Sequence, residues 1–163
     1  MTRPRPGALF ALASVIIVLD QATKQLVVST MVEGESIPVL DGILHWTFVR
    51  NPGAAFSLFT NLPWLFTILA TGISIIIAVS ARKPRSAGSA VALGLVLGGA
   101  VGNLVDRVIR EPAVFRGHVI DFIDLRVWPT FNIADSAVVV GCALLIAASI
   151  REERAARHLE AAP

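Results

Sequence analysis

Two aspartates lie just before and just inside the last hydrophobic segment of the chain. They are Asp121, in the stretch Val119-Ile-Asp-Phe122, and Asp135, in the stretch Phe131-Asn-Ile-Ala-Asp-Ser136. A carboxylate at the edge of a lipid bilayer is costly, so it is usually retained for a function. Two carboxyl groups that reach one water molecule supply a general base and a general acid, the minimum equipment of an aspartic hydrolase. The two residues are therefore candidates for a catalytic pair.

Each aspartate also has an ordinary structural explanation. Asn132 is a good N-cap residue, and Asp135 then stands at the third position of the following helix, as in a capping box. The helix dipole favours a carboxylate at that position. Asp121 and its neighbour Asp124 also fit the pattern of loop carboxylates. Spacing alone favours these structural explanations over catalysis.

Hydrophobic segments must position these residues. The chain has 163 residues, of which 55% are hydrophobic and 16% are charged, and its mean hydropathy of +0.71 is far above that of an ordinary soluble domain. Four apolar stretches, at about 8–28, 63–81, 87–105 and 133–150, each approach the ~20 residues that cross a bilayer as a helix. We expect one all-α membrane domain, residues 1–163, with four transmembrane helices.

Basic residues predict the orientation of these helices. Arg3 and Arg5 before the first segment also raise the alternative of a cleavable signal peptide, but the apolar run is long and no clear cleavage site follows it. Eight basic residues lie in the termini and in the link between segments two and three: Arg3, Arg5, Arg82, Lys83, Arg85, Arg151, Arg154 and Arg157. The other two connections hold Arg50, Arg107, Arg110, Arg116 and Arg126. The positive-inside rule therefore places both termini and the tail 151–163 in the cytoplasm.

The first outer connection, residues 29–62, is predicted to be rich in β-structure. Ile37–Leu40 and Ile43–Val49 are predicted strands around Asp41-Gly42, a strong hairpin dipeptide. The second strand alternates apolar and more polar residues, so one of its faces, which includes Trp46, is apolar. The sequence does not distinguish a lid over the helix ends from a cradle for an amphiphilic substrate.

Polar residues also occur within the first and third segments. Asp20 and Lys24 are four residues apart on one helix face, and we expect them to form a structural salt bridge. Glycines recur every fourth residue at Gly94, Gly98 and Gly102, which is typical of close helix packing.

The third segment ends in Asn103, Asp106 and Arg107. Asn103 and Arg107 share a helix face, so both are able to point into a site at the outer surface. Helix termination and snorkelling of the arginine explain the same residues equally well.

The sequence indicates no metal or cofactor. His45, His118 and His158 lie outside the predicted spans, and Cys142 is the single cysteine. Neither a zinc motif nor a disulfide is therefore expected. An intramembrane Ser–His protease would need a histidine within the helices, and none lies in the predicted spans. A Ser–Lys protease would need a serine against Lys24, and the local sequence does not supply a convincing one.

Five motifs together resemble lipoprotein signal peptidase, the bacterial signal peptidase II. They are Leu19-Asp-Gln-Ala-Thr-Lys24, Arg50-Asn-Pro-Gly-Ala-Ala-Phe56, Gly98-Gly-Ala-Val-Gly-Asn-Leu-Val-Asp-Arg107, Val119-Ile-Asp-Phe122 and Phe131-Asn-Ile-Ala-Asp-Ser136. They occur in the family's order, and the resemblance spans about residues 8–150. Each motif is weak alone, but five in order are highly specific. Two departures, Ile120 and Pro52, do not touch the chemistry.

The resemblance implies an intramembrane aspartic endopeptidase without a cofactor. Such an enzyme removes signal peptides from prolipoproteins by cutting before a cysteine that carries diacylglycerol. Its catalytic pair falls on Asp121 and Asp135, whereas Asp124 is a decoy because the family motif places the catalytic residue before the phenylalanine. The resemblance assigns binding or supporting roles to Asn51, Gly53, Asn103, Arg107 and Asn132, and mainly structural roles to Asp20, Lys24 and Asp106. It implies a protein of the bacterial inner membrane. The distribution of basic residues predicts a site towards the outer face and no nucleic-acid partner, and we expect a monomer.

Two functions of other classes remain as alternatives. A transporter or ion-conducting bundle would use Asp20, Lys24 and Asp135 as a polar relay across the midplane. The predicted clustering of Asp121 and Asp135 at one surface favours a peptidase instead. The second alternative is a binding module for lipidated proteins without catalytic activity. In the sequence, only the presence of both aspartates favours an enzyme over such a module.

Overall fold

Long apolar runs form helices and shorter alternating runs form strands in the computed structural model, which describes residues 6–53, 63–81 and 86–160. The helices are α1 (Pro6–Thr30), α2 (Pro63–Ser80), α3 (Ala87–Ile109) and α4 (Ile133–Glu160). The strands are β1 (Ser36–Leu40), β2 (Leu44–Asn51) and β3 (Val119–Asp124). The predicted helical character and the predicted hairpin are confirmed within these ranges, and β3 is an addition that was not predicted.

Three of these helices contain segments long and apolar enough to cross a bilayer: Gly7–Thr30, Ala87–Ile109 and Ile133–Arg151. The apolar part of α2, Trp64–Ser80, is shorter. The 18 residues of α2 extend about 27 Å, slightly less than the roughly 30 Å of a hydrocarbon core. The described part of the chain therefore contains three clear membrane spans, and a fourth crossing by α2 is not confirmed.

The central helix is α3, which packs against α1, α2 and α4. Its glycine stripe faces α1. A Cβ atom at Gly98 would lie 2.7 Å from the Cβ of Ile16, and one at Gly102 would lie 2.8 Å from a carboxyl oxygen of Asp20. Small residues allow such close approach of two helix backbones. The predicted packing role is confirmed here, and Gly102 additionally makes room for a buried carboxylate.

The three strands form one antiparallel sheet in the order β1-β2-β3. The turn between β1 and β2 contains Gly42 with φ of 74°, a conformation that glycine adopts without steric cost. β3 pairs with β2 so that Asp121 lies opposite Val49 and Val119 lies opposite Asn51. This long-range pairing brings Asn51, at the end of β2, beside the strand that carries Asp121.

A small hydrophobic core fixes the sheet to the C-terminal end of α1. Val27 of α1 and Met31, which directly follows that helix, pack with Phe48 of β2 and Phe122 of β3. The rings of Trp46 and Phe122 are 4.8 Å apart, within the range of favourable aromatic pairs. The apolar face predicted for β2 is therefore directed into this core, which holds β3 in place.

The last helix is longer than its hydrophobic segment. The apolar span ends at Arg151, but α4 continues to Glu160, beyond the predicted end at residue 150. The tail is rich in alanine, arginine and glutamate, which are strong helix formers. The hydropathy pattern therefore predicted where the apolar span ends, and the helix continues beyond that point because the residues of the tail have high helix propensity.

Candidate active site

Asp121 is held in β3 by amide donors from two other parts of the chain. Its side chain is buried. Its Oδ1 accepts a hydrogen bond from Asn132 Nδ2 at 2.7 Å, and its Oδ2 accepts one from Asn51 Nδ2 at 2.8 Å. Asn51 ends the neighbouring strand and Asn132 directly precedes α4. Each carboxyl oxygen of Asp121 therefore has its own donor.

Asp135 lies in the first turn of α4, in a reciprocal arrangement with Asn132. The backbone N–H of Asp135 donates to Asn132 Oδ1 at 2.9 Å, and the backbone N–H of Asn132 donates to Asp135 Oδ2 at 3.2 Å. This is the capping box expected from the sequence. Asp135 Oδ1 accepts a further hydrogen bond from Asn103 Nδ2 of α3, at 2.7 Å. Capping thus leaves one carboxyl oxygen for a contact with α3.

Asn132 connects the two carboxyl groups. It is fully buried, and it donates its side-chain amide to Asp121 and its backbone amide to Asp135. The two aspartates are therefore neighbours joined through one residue, and both line the same cavity.

The cavity has a volume of about 440 Å³, within the usual range for small-ligand pockets. Its walls come from α2, α3 and α4, from the strands β2 and β3, and from residues 128–131 before α4. The apolar lining includes Phe66, Leu69, Ile73, Val96, Ala100, Leu104, Val138 and Val139, and the polar lining consists of Asn51, Asn103, Arg107, Thr130, Asp121 and Asp135. An extended apolar space thus adjoins a small group of carboxyl, amide and guanidinium groups.

The environment favours a proton on Asp121. Burial and, secondly, the negative charge of Asp135 raise the pKa of Asp121 to about 7, although the hydrogen bonds from Asn51 and Asn132 act in the opposite direction. Asp121 therefore holds its proton into the neutral pH range, where an ordinary aspartic acid is fully ionised. One protonated carboxyl group beside one ionised carboxyl group is the arrangement that aspartic hydrolases use.

Asp124 lies at the end of the same strand but outside the cavity. Successive side chains of a strand alternate between its two faces, so Asp124 is directed away from the face of Asp121. It accepts hydrogen bonds from Thr47 Oγ1 at 3.1 Å and from the backbone N–H of Arg126 at 2.8 Å. Burial would raise the pKa of Asp124, but the bonds from Arg126 and Thr47 outweigh it and lower that pKa. Its surroundings therefore suit a structural carboxylate.

Arg107 anchors the turn that follows β2. Its guanidinium donates to the carbonyl oxygens of Pro52 at 3.0 Å, Gly117 at 3.2 Å and Gly53 at 2.7 Å. The side chain is only 5% exposed and lies over the ring of Phe66. Arg107 is thus directed into the protein, and snorkelling does not describe it. The rest of the Arg50–Phe56 motif, residues 54–56, lies outside the described residues.

The same turn orients Asn51. The backbone N–H of Gly53 donates to Asn51 Oδ1 at 2.9 Å. Because this bond occupies the oxygen of the amide, the Nδ2 group is left to face Asp121. Gly53 and Arg107 therefore contribute through the position of Asn51, and both also line the cavity.

A buried ion cluster lies behind the cavity. Lys24 Nζ is 2.8 Å from Asp20 Oδ2 and 2.8 Å from Asp106 Oδ2, and the side chains of all three are 0% exposed. The predicted pairing of Asp20 with Lys24 is confirmed. Asp106 is an additional partner, and it also accepts from Arg110 Nε at 2.6 Å.

Two contacts of this cluster are not predicted by the sequence. Gln21 Nε2 donates to the carbonyl oxygen of Gly102 at 3.0 Å, and it also lies within hydrogen-bond distance of Asp20 and Asp106. The backbone N–H of Ala134 donates to Asp20 Oδ1 at 3.0 Å. The sequence did contain a signal for Gln21, because it is an uncharged polar residue next to Asp20 in a mostly apolar helix. No local signal indicated Ala134, because the bond joins α1 to the start of α4.

The chemistry open to this site is acid–base chemistry on a water molecule. An ionised carboxylate is able to take a proton from water, while a protonated one polarises a carbonyl group. Within residues 6–53, 63–81 and 86–160, no group of three or more histidine, cysteine, aspartate or glutamate side chains is arranged to hold a metal ion.

Comparison with known proteins places the chain among related sequences and folds. A family model described as Signal peptidase (SPase) II matches residues 12–151. A lipoprotein signal peptidase from Mycobacterium leprae is 47% identical over 142 residues, which cover 87% of this chain and 71% of that protein. A protein of the same name from Mycobacterium avium is 45% identical over 142 residues, covering 87% of this chain and 78% of that protein.

Solved structures share the fold. One, a bacterial membrane enzyme determined by the in meso method at 2.3 Å resolution, superposes with a TM-score of 0.84 and 32% sequence identity, covering 94% of each chain. A second bacterial membrane enzyme, determined by the same method at 1.9 Å resolution, gives a TM-score of 0.78 and 33% identity, covering 91% of this chain and 96% of that one.

Proposed function

Because the chain belongs to the signal peptidase II family, we propose that it cleaves the signal peptide from diacylglyceryl-modified prolipoproteins with Asp121 and Asp135 as an aspartic dyad. Membership of this family makes the chain a protease of lipoprotein signal peptides. The dyad is supported by one observation above all: Asn132 joins both carboxyl groups at the polar end of a single, mostly apolar cavity. The apolar part of the cavity would bind the apolar signal sequence, and the peptide bond next to that sequence would then lie at the two carboxyl groups.

The proposed reaction uses the two carboxyl groups in different protonation states. Asp135, at a helix N-terminus that favours negative charge, takes a proton from a water molecule, whose oxygen attacks the scissile carbonyl carbon. Protonated Asp121 donates to the carbonyl oxygen as the tetrahedral intermediate forms. Asp135 then passes its proton to the amide nitrogen while Asp121 takes back a proton from a hydroxyl group of the intermediate. The carbon–nitrogen bond breaks, the new amine and carboxyl ends separate, and both aspartates return to their starting protonation states. The pair titrates as one coupled unit, because two adjacent carboxylates resist ionising together.

The remaining polar residues hold this geometry in our proposal. Asn51, Asn103 and Asn132 direct their amide N–H groups to the carboxyl oxygens. Arg107 fixes the turn at Gly53, which in turn orients Asn51. The apolar walls from α2, α3 and α4 would receive the signal peptide and the acyl chains.

We further propose that all four helices cross the bacterial inner membrane, with both termini in the cytoplasm. α2 reaches nearly the required length, and many of its large apolar side chains are exposed, including Ile68, Ile76 and Val79. The sheet and both aspartates lie at the C-terminal end of α1 and the N-terminal end of α4. The positive-inside rule puts these ends at the outer face. The enzyme would act there as a monomer, in contact with membrane lipid.

A direct test compares two peptides with one purified protein reconstituted in lipid. Both peptides carry the same signal sequence, but only one has a diacylglyceryl group on its cysteine. We expect cleavage immediately before the cysteine in the lipidated peptide, detected by mass spectrometry, and none in the unmodified peptide. If a control signal peptidase II cuts the lipidated peptide and this protein leaves it intact, the proposal fails. Tight binding without cleavage would support the binding-module alternative instead.

The rate of peptide cleavage should decrease as the pH rises above neutrality. The pKa of Asp121 is raised to about 7, so the protonated form required of the acid is lost as the pH rises through that value. Above about pH 7 we therefore expect kcat to decrease by about tenfold per pH unit. The measurement is the initial rate of cleavage at saturating lipidated peptide across the pH range, with unfolding monitored separately. A rate that stays constant well above the pKa would show that Asp121 is not the acid.

A further inference from the structure

Lys24 forms a hydrogen bond outside its ion cluster, in addition to its contacts with the two carboxylates of that cluster. An ammonium group has three N–H donors and no acceptor. Two of its contacts are with Asp20 and Asp106, and the third is with Asn103 Oδ1, at 2.9 Å. Asn103 carries no charge, and it belongs to the site that contains Asp135. The buried cluster therefore makes a direct contact with the candidate active site.

This contact fixes which way round the amide of Asn103 lies. Its Oδ1 accepts from Lys24 Nζ and also, at 3.2 Å, from Asn132 Nδ2. Its Nδ2 donates to Asp135 Oδ1 at 2.7 Å. A flipped amide would direct its NH₂ group at two donors and its oxygen at a carboxylate, so all three contacts would become repulsive.

We propose that Lys24 is a positioning residue for peptide cleavage: by holding the oxygen of Asn103, it directs the NH₂ group of Asn103 at Asp135 and keeps Asp135 the ionised member of the dyad. This inference rests on the proposed function. A hydrogen bond from an amide stabilises a carboxylate more than a neutral carboxylic acid. Lys24 thus acts on the reaction without touching the substrate.

Charge balance separates this role from simple ion pairing. The cluster contains two carboxylates, Asp20 from α1 and Asp106 from α3. It contains two cations, Lys24 and Arg110, since Arg110 binds Asp106 from the same helix. α4 contributes the backbone N–H of Ala134, which faces Asp20. Removing Lys24 alone would leave one buried carboxylate without a counter-ion, which is strongly destabilising.

The test therefore changes Lys24 and Asp20 together. The double variant Asp20→Asn/Lys24→Met removes one charge of each sign and leaves Asp106 paired with Arg110. The asparagine introduced at position 20 retains an oxygen for the N–H of Ala134, but the methionine introduced at position 24 has no donor for Asn103. We expect kcat to fall at least about tenfold, as for other small losses of site geometry. KM should be unchanged, and the acidic side of the activity profile should move to higher pH because Asp135 loses an oriented donor.

Two further variants complete the design. Asp20→Asn alone retains Lys24 and should keep kcat close to the wild type. Asp20→Asn/Lys24→Gln has a neutral donor in place of the ammonium and should recover most of the kcat lost in the methionine variant. Thermal unfolding in detergent identifies the folded variants. If the methionine variant does not fold, Asp20→Asn/Lys24→Leu replaces it as the variant without a donor, and a low kcat in that variant beside an active glutamine variant supports the inference.

Specific results would overturn the inference. A folded methionine variant with wild-type kcat and pH profile would show that Asn103 needs no orientation from Lys24. Low activity in a folded glutamine variant would assign the effect to the lost charge. Asp121→Asn and Asp135→Asn, assayed beside them, separate this outcome from failure of the dyad itself: cleavage by those variants would refute the dyad, whereas their inactivity beside a fully active methionine variant would refute only the role of Lys24.

Discussion

Asp121→Asn and Asp135→Asn are each expected to reduce kcat by about 10³-fold or more, the scale of a lost general acid or base. Asparagine preserves the size of the side chain, so the cavity should keep its shape. It cannot ionise to take a proton from water, and its amide is a poor proton donor to a carbonyl oxygen. Either change therefore removes one half of the proposed acid–base cycle. The measurement is the initial rate of cleavage of a saturating lipidated peptide by purified protein.

The matched control is Asp124→Asn. Asp124 belongs to the same strand as Asp121, but it contacts Thr47 and Arg126 on the other face of that strand. We expect the control to keep its activity and to lose only a little stability, since its ion pair with Arg126 is partly exposed. Substantial cleavage by folded Asp121→Asn or Asp135→Asn would refute the dyad.

Asn132→Ala is expected to have the second largest effect, a decrease in kcat of about 10²-fold, the cost of a small misplacement of catalytic groups. The change removes the amide donor to Asp121 and the N-cap acceptor for Asp135. Loss of the cap should also cost about 1 kcal/mol of stability. Cleavage kinetics and thermal unfolding of the same preparations measure the two effects.

A second N-cap separates capping from catalysis. Ser86 caps α3 by accepting from the backbone N–H of Ser89 at 3.2 Å, and it does not line the cavity. Ser86→Ala should therefore lower stability without lowering kcat. If Asn132→Ala behaves in the same way, Asn132 is a cap and not a catalytic support.

The sequence predicted those features whose signal is local. Four apolar runs indicated the helices to within a few residues at most ends, and Asp41-Gly42 indicated the hairpin turn. The capping box of Asn132 and Asp135 was also readable, because its partners are close together in the chain. The predicted end of α4 came too early, since the helix continues to Glu160 and a hydropathy pattern reports only the lipid-facing part of a helix.

The features that were missed depend on contacts between distant parts of the chain. β3 has six residues, and it pairs with a strand from a much earlier part of the chain, so no short window of sequence reveals their pairing. For Arg107 the sequence left a site residue and a snorkelling residue equally open, because its acceptors are backbone carbonyls, which carry no sequence signature. The third bond of Lys24 was likewise hidden, because a salt bridge with Asp20 already explained that residue.

The bond between Asp20 and Ala134 links residues 114 positions apart. Lys24 belongs to α1 and Asp135 to α4, so the site brings together two helices that are far apart in the chain. Chains truncated before α4 would lack Asp135 and the residue that seals Asp20. If the proposed dyad is correct, docking of α4 against α1 and α3 is the step that completes the site, and a chain in which α4 has not docked would have no activity.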